Sequence, residues 1–127
     1  MTQLRALLVI LALCLSAAAL AQDSVSREAW SALVLNMLPE LLCHDESYFV
    51  QCFGMDTDQC ESDLAKQTRN CLENLSEQIP SRISTSEQGR VAGELIGRCA
   101  GARFDLFNQE RKIDSPPCND PAHWAEQ

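Results

Sequence analysis

TDQCESDLAKQTRNCLENL, residues 57–75, is the stretch whose reading decides the fold. At helical period Cys60, Leu64, Thr68, Cys71, Leu72 and Leu75 line one face, with Ile79 just beyond. Cys60 and Cys71 are roughly 20° out of phase at about 100° per residue. One inward helix face therefore presents two thiols to its neighbours. Asp56 or Thr57 can cap the start, and Asp56, Asp58, Glu61 and Asp63 crowd the positive end of the helix dipole. Pro80 closes it, so a helix is expected from Thr57 to about Gln78.

Helical spacing continues on both sides. Upstream, Trp30, Leu33, Val34, Met37, Leu38 and Leu41 recur as one buried helical face would, behind N-caps offered by Asp23, Ser24 and Ser26. Pro39 should end or kink that helix. A short helix over Ser47 to Phe53 points Phe49, Cys52 and Phe53 inward, and Gly54 stops it. Downstream, Ser84 with Glu87 reads as a capping box that opens a fourth helix, from about Thr85 to Asn108. The tail after Ile113, with Pro116, Pro117 and Pro121, reads as irregular. No strand-like alternation of useful length occurs, and Tyr48, Phe49, Phe53, Phe104 and Phe107 read most simply as core. The expected fold is a small all-α, four-helix domain stapled by disulfides.

The compartment follows from the N-terminus and the cysteines. Arg5, the apolar run Ala6 to Leu15, and Ala19-Leu20-Ala21 make a secretory signal cut before Gln22. The run is too short for a stable membrane span. Cys14 lies within it, and Leu13 is too large for a lipoprotein site. The mature chain keeps Cys43, Cys52, Cys60, Cys71, Cys99 and Cys118, an even set in an exported domain, hence three disulfides. The expected organisation is a signal over 1–21, a helical domain over 22–113 and a Pro-rich tail over 114–127 tied back by a disulfide. The signal looks bacterial, which points to the periplasm or beyond in a Gram-negative cell.

Helix geometry ranks the pairings. A hairpin of the second and third helices turning near Asp56 sets Cys52 level with Cys60 and Cys43 within a rung of Cys71. A turn near Gln109 sets Cys99 level with Cys118. Cys43 and Cys52 are roughly 180° out of phase on a helix. The chain must therefore break between them, at His44 to Ser47.

Gly89, Gly93, Gly97 and Gly101 recur every fourth residue on the fourth helix. Each costs roughly 0.8–1 kcal/mol against Ala in a helix interior, so some packing gain should offset them. The stripe reads as a helix-packing groove within the molecule, or as a homodimer seam or a partner's docking groove.

Without Arg5, nine Lys and Arg oppose eighteen Asp and Glu, a formal charge of −9. That charge opposes nucleic acid and anionic membranes and suits a basic protein partner. No reaction motif is visible. His44 follows Cys43, a thiol expected in a disulfide. Asp56-Thr57-Asp58 starts like a calcium loop, but Glu61 and Gln67 stand where that loop needs Gly and Glu. No Gly-x-Ser-x-Gly, phosphate loop or Cys-x-x-Cys is present. Glu94 and Asp105 on the fourth helix are the one carboxylate pair a small hydrolase could use. No cofactor or metal is expected. The expected role is that of a non-catalytic, exported protein-binding domain, in its most concrete form an inhibitor or immunity-type protein occluding an envelope-acting enzyme or toxin. The alternative is a structural or assembly accessory of a cell-envelope complex.

Overall fold

The structure is a computed structural model that describes residues 23–124. The export signal expected over 1–21 lies outside the described residues, as do residues 125–127 of the tail. The chain forms β1 (Val25–Ser26), α1 (Arg27–Leu42), α2 (Tyr48–Gln51), α3 (Thr57–Asn74), β2 (Arg82–Ile83), α4 (Ser86–Phe107), α5 (Pro116–Asn119) and α6 (Pro121–Trp124), with 3-10 turns at Ser76–Gln78 and Gln109–Arg111. The all-α, disulfide-stapled expectation is met.

α3 is the central helix, with α1 and α4 both packed along it. Cys60, Leu64, Thr68 and Cys71 are fully buried on its inward face, as the period predicts. Thr68 satisfies its hydroxyl within the helix, donating to the Leu64 carbonyl at 2.8 Å. The Asp56 carboxylate accepts the Gln59 N–H at 2.8 Å and caps the start. At the next helix the capping pair sits one residue later than the Ser84/Glu87 expectation. The Thr85 hydroxyl accepts from Gln88 N–H at 3.1 Å, and Gln88 Oε1 accepts from Ser84 N–H at 2.8 Å. Gln88 is long enough to reach back, so Glu87 is free to pair with Arg90. A two-residue antiparallel ladder sets Val25 opposite Ile83 and pins the start of α1 to the α3–α4 connection. Arg82 fastens that clasp by donating to Ser24 Oγ at 2.7 Å.

Four expectations are corrected. α1 runs through Pro39 to Leu42, and Pro39 is buried. Pro39 forfeits one intrahelical bond, but its ring is buried and its carbonyl still accepts the Cys43 N–H at 2.9 Å, which keeps the last turn closed. The face expected to be buried on α1 is only partly covered. Trp30 is buried, and Val34 and Leu38 are half-buried, but Leu33, Met37 and Leu41 are 53%, 54% and 67% exposed. α1 leans mainly on α3, and one neighbour cannot cover so wide an apolar arc. Phe107, read from sequence as core, is 62% exposed at the end of α4. The tail is ordered into α5 and α6 rather than irregular.

All six cysteines form disulfides, but in a different pattern: Cys43–Cys60, Cys52–Cys118 and Cys71–Cys99. The ranked pairs Cys43–Cys71, Cys52–Cys60 and Cys99–Cys118 do not form. The assumed hairpin partner of α3 was wrong. α2 is a single turn, and α1 is the helix that runs along α3, so its end at Cys43 meets the first turn of α3 at Cys60. Cys71, near the other end of α3, faces α4 and Cys99. The helix break expected over His44 to Ser47 is present, and Gly54 turns the chain back at φ 56°, a conformation that favours glycine.

The glycine stripe is not a helix–helix seam within the molecule. A Cβ at Gly89 would lie 3.6 Å from Ile83 and 4.0 Å from Trp30, and one at Gly101 would lie 3.5 Å from Phe49. At Gly93 and Gly97 it would meet nothing within 4 Å. Neither central glycine is needed for packing inside the domain. The double variant Gly93→Ala/Gly97→Ala should therefore stabilise the fold, by about 1–2 kcal/mol in all. Denaturant unfolding will show this as a higher midpoint at unchanged slope.

Candidate binding cleft

The end of α1, α2 and the tail enclose a cleft of about 780 Å³. Ser47 opens α2 by accepting the Val50 N–H, and this turn sets Tyr48 and Phe49 side by side on the cleft wall. The rings continue inward. Tyr48 meets Trp124, Phe49 and Phe53 edge-on at centroid distances of 5.7, 5.3 and 5.6 Å. Phe104 lies edge-on to Phe49 at 5.0 Å and to Phe53 at 5.2 Å. Edge-to-face contacts between rings each add a fraction of a kcal/mol to about 1.5 beyond burial. The wall of the cleft is thus continuous with the aromatic centre of the core.

The opposite wall comes from the tail. Cys52–Cys118 fastens it beside α2, and Trp124 Nε1–H donates to the Pro117 carbonyl at 2.7 Å. That bond satisfies the indole N–H and leaves its ring as apolar surface. Leu41, Leu42 and Pro121 complete the apolar lining.

One polar cluster enters the cleft. Lys112 reaches Asp105 at 3.1 Å, and the Tyr48 hydroxyl donates to the same carboxylate at 3.4 Å. The Ile113 N–H, donating to the Cys52 carbonyl at 2.8 Å, holds the Lys112 segment in place. The ammonium also sits 5.5 Å from the centre of the Tyr48 ring. Hydrogen bonding to Tyr48 first, and then to Asp105, holds Lys112 above its ordinary value of 10.5, against the opposing effect of partial burial. Because the folded value is the higher one, the cluster stabilises fully below the ordinary lysine range. That contribution is lost as pH rises through the raised value. Melting temperature should accordingly fall through an alkaline limb in the native chain, and Lys112→Met should flatten that limb.

The sequence candidates are distributed as follows. Asp105 lies in the cleft, but Glu94 does not join it: Glu94 pairs on the exposed face of α4 with Arg90 and, at 3.9 Å, with Arg98. The two carboxylates thus serve different cations and do not form a site together. His44 lies at the cleft edge, and its neighbour Cys43 is bonded to Cys60. Among the described residues no group of three or more His, Cys, Asp or Glu converges as metal ligands would. The cleft itself was missed by sequence reasoning, which assigned Tyr48 and Phe49 to the core. The one available signal was a cysteine six residues before a tryptophan in a Pro-rich tail, a pairing that anchors an aromatic ring.

A family model described as T2SS substrate NttA matches residues 24–112. The match spans β1 to the 3-10 turn after α4 and stops at Lys112, ahead of Cys118 and Trp124. No curated protein and no solved structure matches the chain. The chain belongs to the NttA family of type II secretion system substrates, and it is a secreted, disulfide-bonded helical protein that passes through the periplasm.

Proposed function

We propose that this protein is a non-catalytic binding protein that acts outside a Gram-negative cell through its aromatic cleft. The observation that supports it best is the cleft's internal accounting. Asp105 is held by Lys112 and Tyr48, the Ser47 hydroxyl by the Val50 N–H, and the Trp124 N–H by Pro117. Among the described lining residues Asp105 is the one carboxylate, so no carboxylate pair converges there for acid–base chemistry, and His44 lies at the edge. What remains presented is apolar and aromatic surface in a volume typical of ligand pockets. Membership of a secretion-substrate family supports a site of action beyond the outer membrane. The more specific form of this reading is an inhibitor whose target enzyme is met outside the cell rather than inside the envelope.

Two measurements test it. In a producing strain the mature protein should collect in the medium, and deleting the type II outer-membrane channel should trap it in the periplasm. The neutral dye N-phenyl-1-naphthylamine should bind the oxidised mature protein one-to-one, and Trp124→Ala should weaken that binding. Secretion unaffected by the deletion overturns the export route. A dye that fails to bind, or binds the Trp124 variant equally well, overturns the cleft.

A further inference from the structure

We infer that the cleft takes a cationic amphipathic helix, whose apolar face lies along α1 and whose end residue enters between Phe49 and Trp124. The inference rests on the cleft being the binding site, and it names the ligand's class.

Length comes first. Leu33, Met37 and Leu41 stand one helical turn apart on α1, each more than half exposed. Leu41 also lines the cleft, so stripe and cleft form one apolar track. From Leu33 to Leu41 the track runs about 12 Å before the cleft begins. It therefore suits an elongated ligand with apolar groups repeating at one-turn spacing, the pattern of helix-in-groove recognition.

Depth comes from the far side. The Trp30 side of α1 faces α4 at Gly89, and Phe49 meets α4 at Gly101. Between those contacts Gly93 and Gly97 leave the flank of α4 bare. A ligand helix lying against the stripe meets backbone there rather than side chains.

Charge selects among elongated apolar ligands. Glu40 precedes Leu41 on an exposed position of α1, and Asp45 and Glu46 are exposed beside His44 at the cleft edge. Glu46 also lines a shallower hollow that shares His44 and Trp124 with the cleft. Among the described residues the one Lys or Arg lining the cleft, Lys112, is already paired with Asp105. Beyond the bare flank, Arg90 and Arg98 are paired with Glu87 and Glu94. The uncompensated field at the track is negative, and the mature chain as a whole stands at −9. An acidic helix or an anionic lipid is repelled there, whereas Lys and Arg on a ligand's polar face find Glu40, Asp45 and Glu46. Inside the cleft Asp105, Lys112 and the Trp124 N–H are already paired, so the entering residue need supply only an apolar group.

The test uses the oxidised mature protein and a labelled synthetic peptide of roughly eighteen residues, about five turns, with Leu and Lys placed at helical period. Fluorescence anisotropy should show one-to-one binding that weakens as salt is raised. Met37→Glu should weaken it about tenfold or more. Charge reversal at Glu40 and Glu46 together should do the same at low salt. All three positions are exposed, and a melting curve checks that each variant stays folded. Equal binding of the corresponding Leu/Glu peptide, or an unchanged affinity in Met37→Glu, overturns the inference. So does a dimer in sedimentation that Met37→Glu dissociates, because the stripe then belongs to a second copy. If the naphthylamine dye fills the cleft while the Leu/Lys peptide does not bind, the peptide class fails and the cleft reading stands. If the dye is also excluded, the cleft reading falls.

Discussion

Replacing Cys71 and Cys99 together by Ala should destabilise the domain by about 3.5 kcal/mol. The bridge closes a loop of 28 residues between the middle helix and α4, and chain-entropy arithmetic assigns roughly that value to such a loop. A domain of this size holds about 5–15 kcal/mol in total, so the loss is a large share of it. At about 4–8 °C per kcal/mol, the melting temperature should drop by roughly 15–25 °C. Thermal unfolding followed by circular dichroism measures it directly. The bridge ties fully buried Cys71 on α3 to half-buried Cys99 on α4, so the whole domain should feel its loss in one cooperative step. A shift of only a few degrees would mean that packing between α3 and α4 holds the pair unaided.

Phe104→Ala should cost about 3–5 kcal/mol, the usual range for emptying a buried aromatic site. Phe104 is fully buried and touches both Phe49 and Phe53 edge-on. Its removal also takes away the support behind Phe49, a wall of the cleft. Two readouts should therefore move together: the denaturant midpoint falls, and the naphthylamine dye binds more weakly. Phe104→Leu keeps most of the volume and should recover most of the stability. If the alanine variant lost stability but bound dye as before, the cleft wall would be independent of the core behind it.

Much of the fold was legible because helix phase is a local property. The inward face of residues 57–75, the cap at Asp56 and the stop at Gly54 follow from spacing and side-chain chemistry, whereas the helix expected to run to Gln78 ends at Asn74 and passes into a 3-10 turn before Pro80. The pairings depended on which helices run side by side, and that choice went to the wrong hairpin. The structure sets Cys71 on α3 beside Cys99 on α4, a pairing whose level point falls at Thr85, the cap of α4, and not at the middle of the connection. It also sets Gln67 beside Arg103, which donates to it at 3.2 Å. Periodicity likewise found the apolar arc of α1, but it could not tell a covered face from a bare one. Leu33, Met37 and Leu41 therefore looked like core. The cleft was hidden for a different reason. Its lining comes from three segments, around Tyr48, around Asp105 to Lys112, and around Cys118 to Trp124, and nothing local in the chain links them. The Asp105–Lys112 pair reads in sequence as two ordinary surface charges.

The bond between Cys52 and Cys118 joins residues 66 apart in sequence, and α5 and α6 hang from it. Cytosolic thiols stay reduced, so this bond is made only after the chain has crossed the inner membrane. Until then the tail that forms one side of the cleft lacks its covalent tie to α2. The producing cell thus never meets the finished cleft in its own cytoplasm. Under the proposed function, oxidation in the periplasm is the step that completes the site.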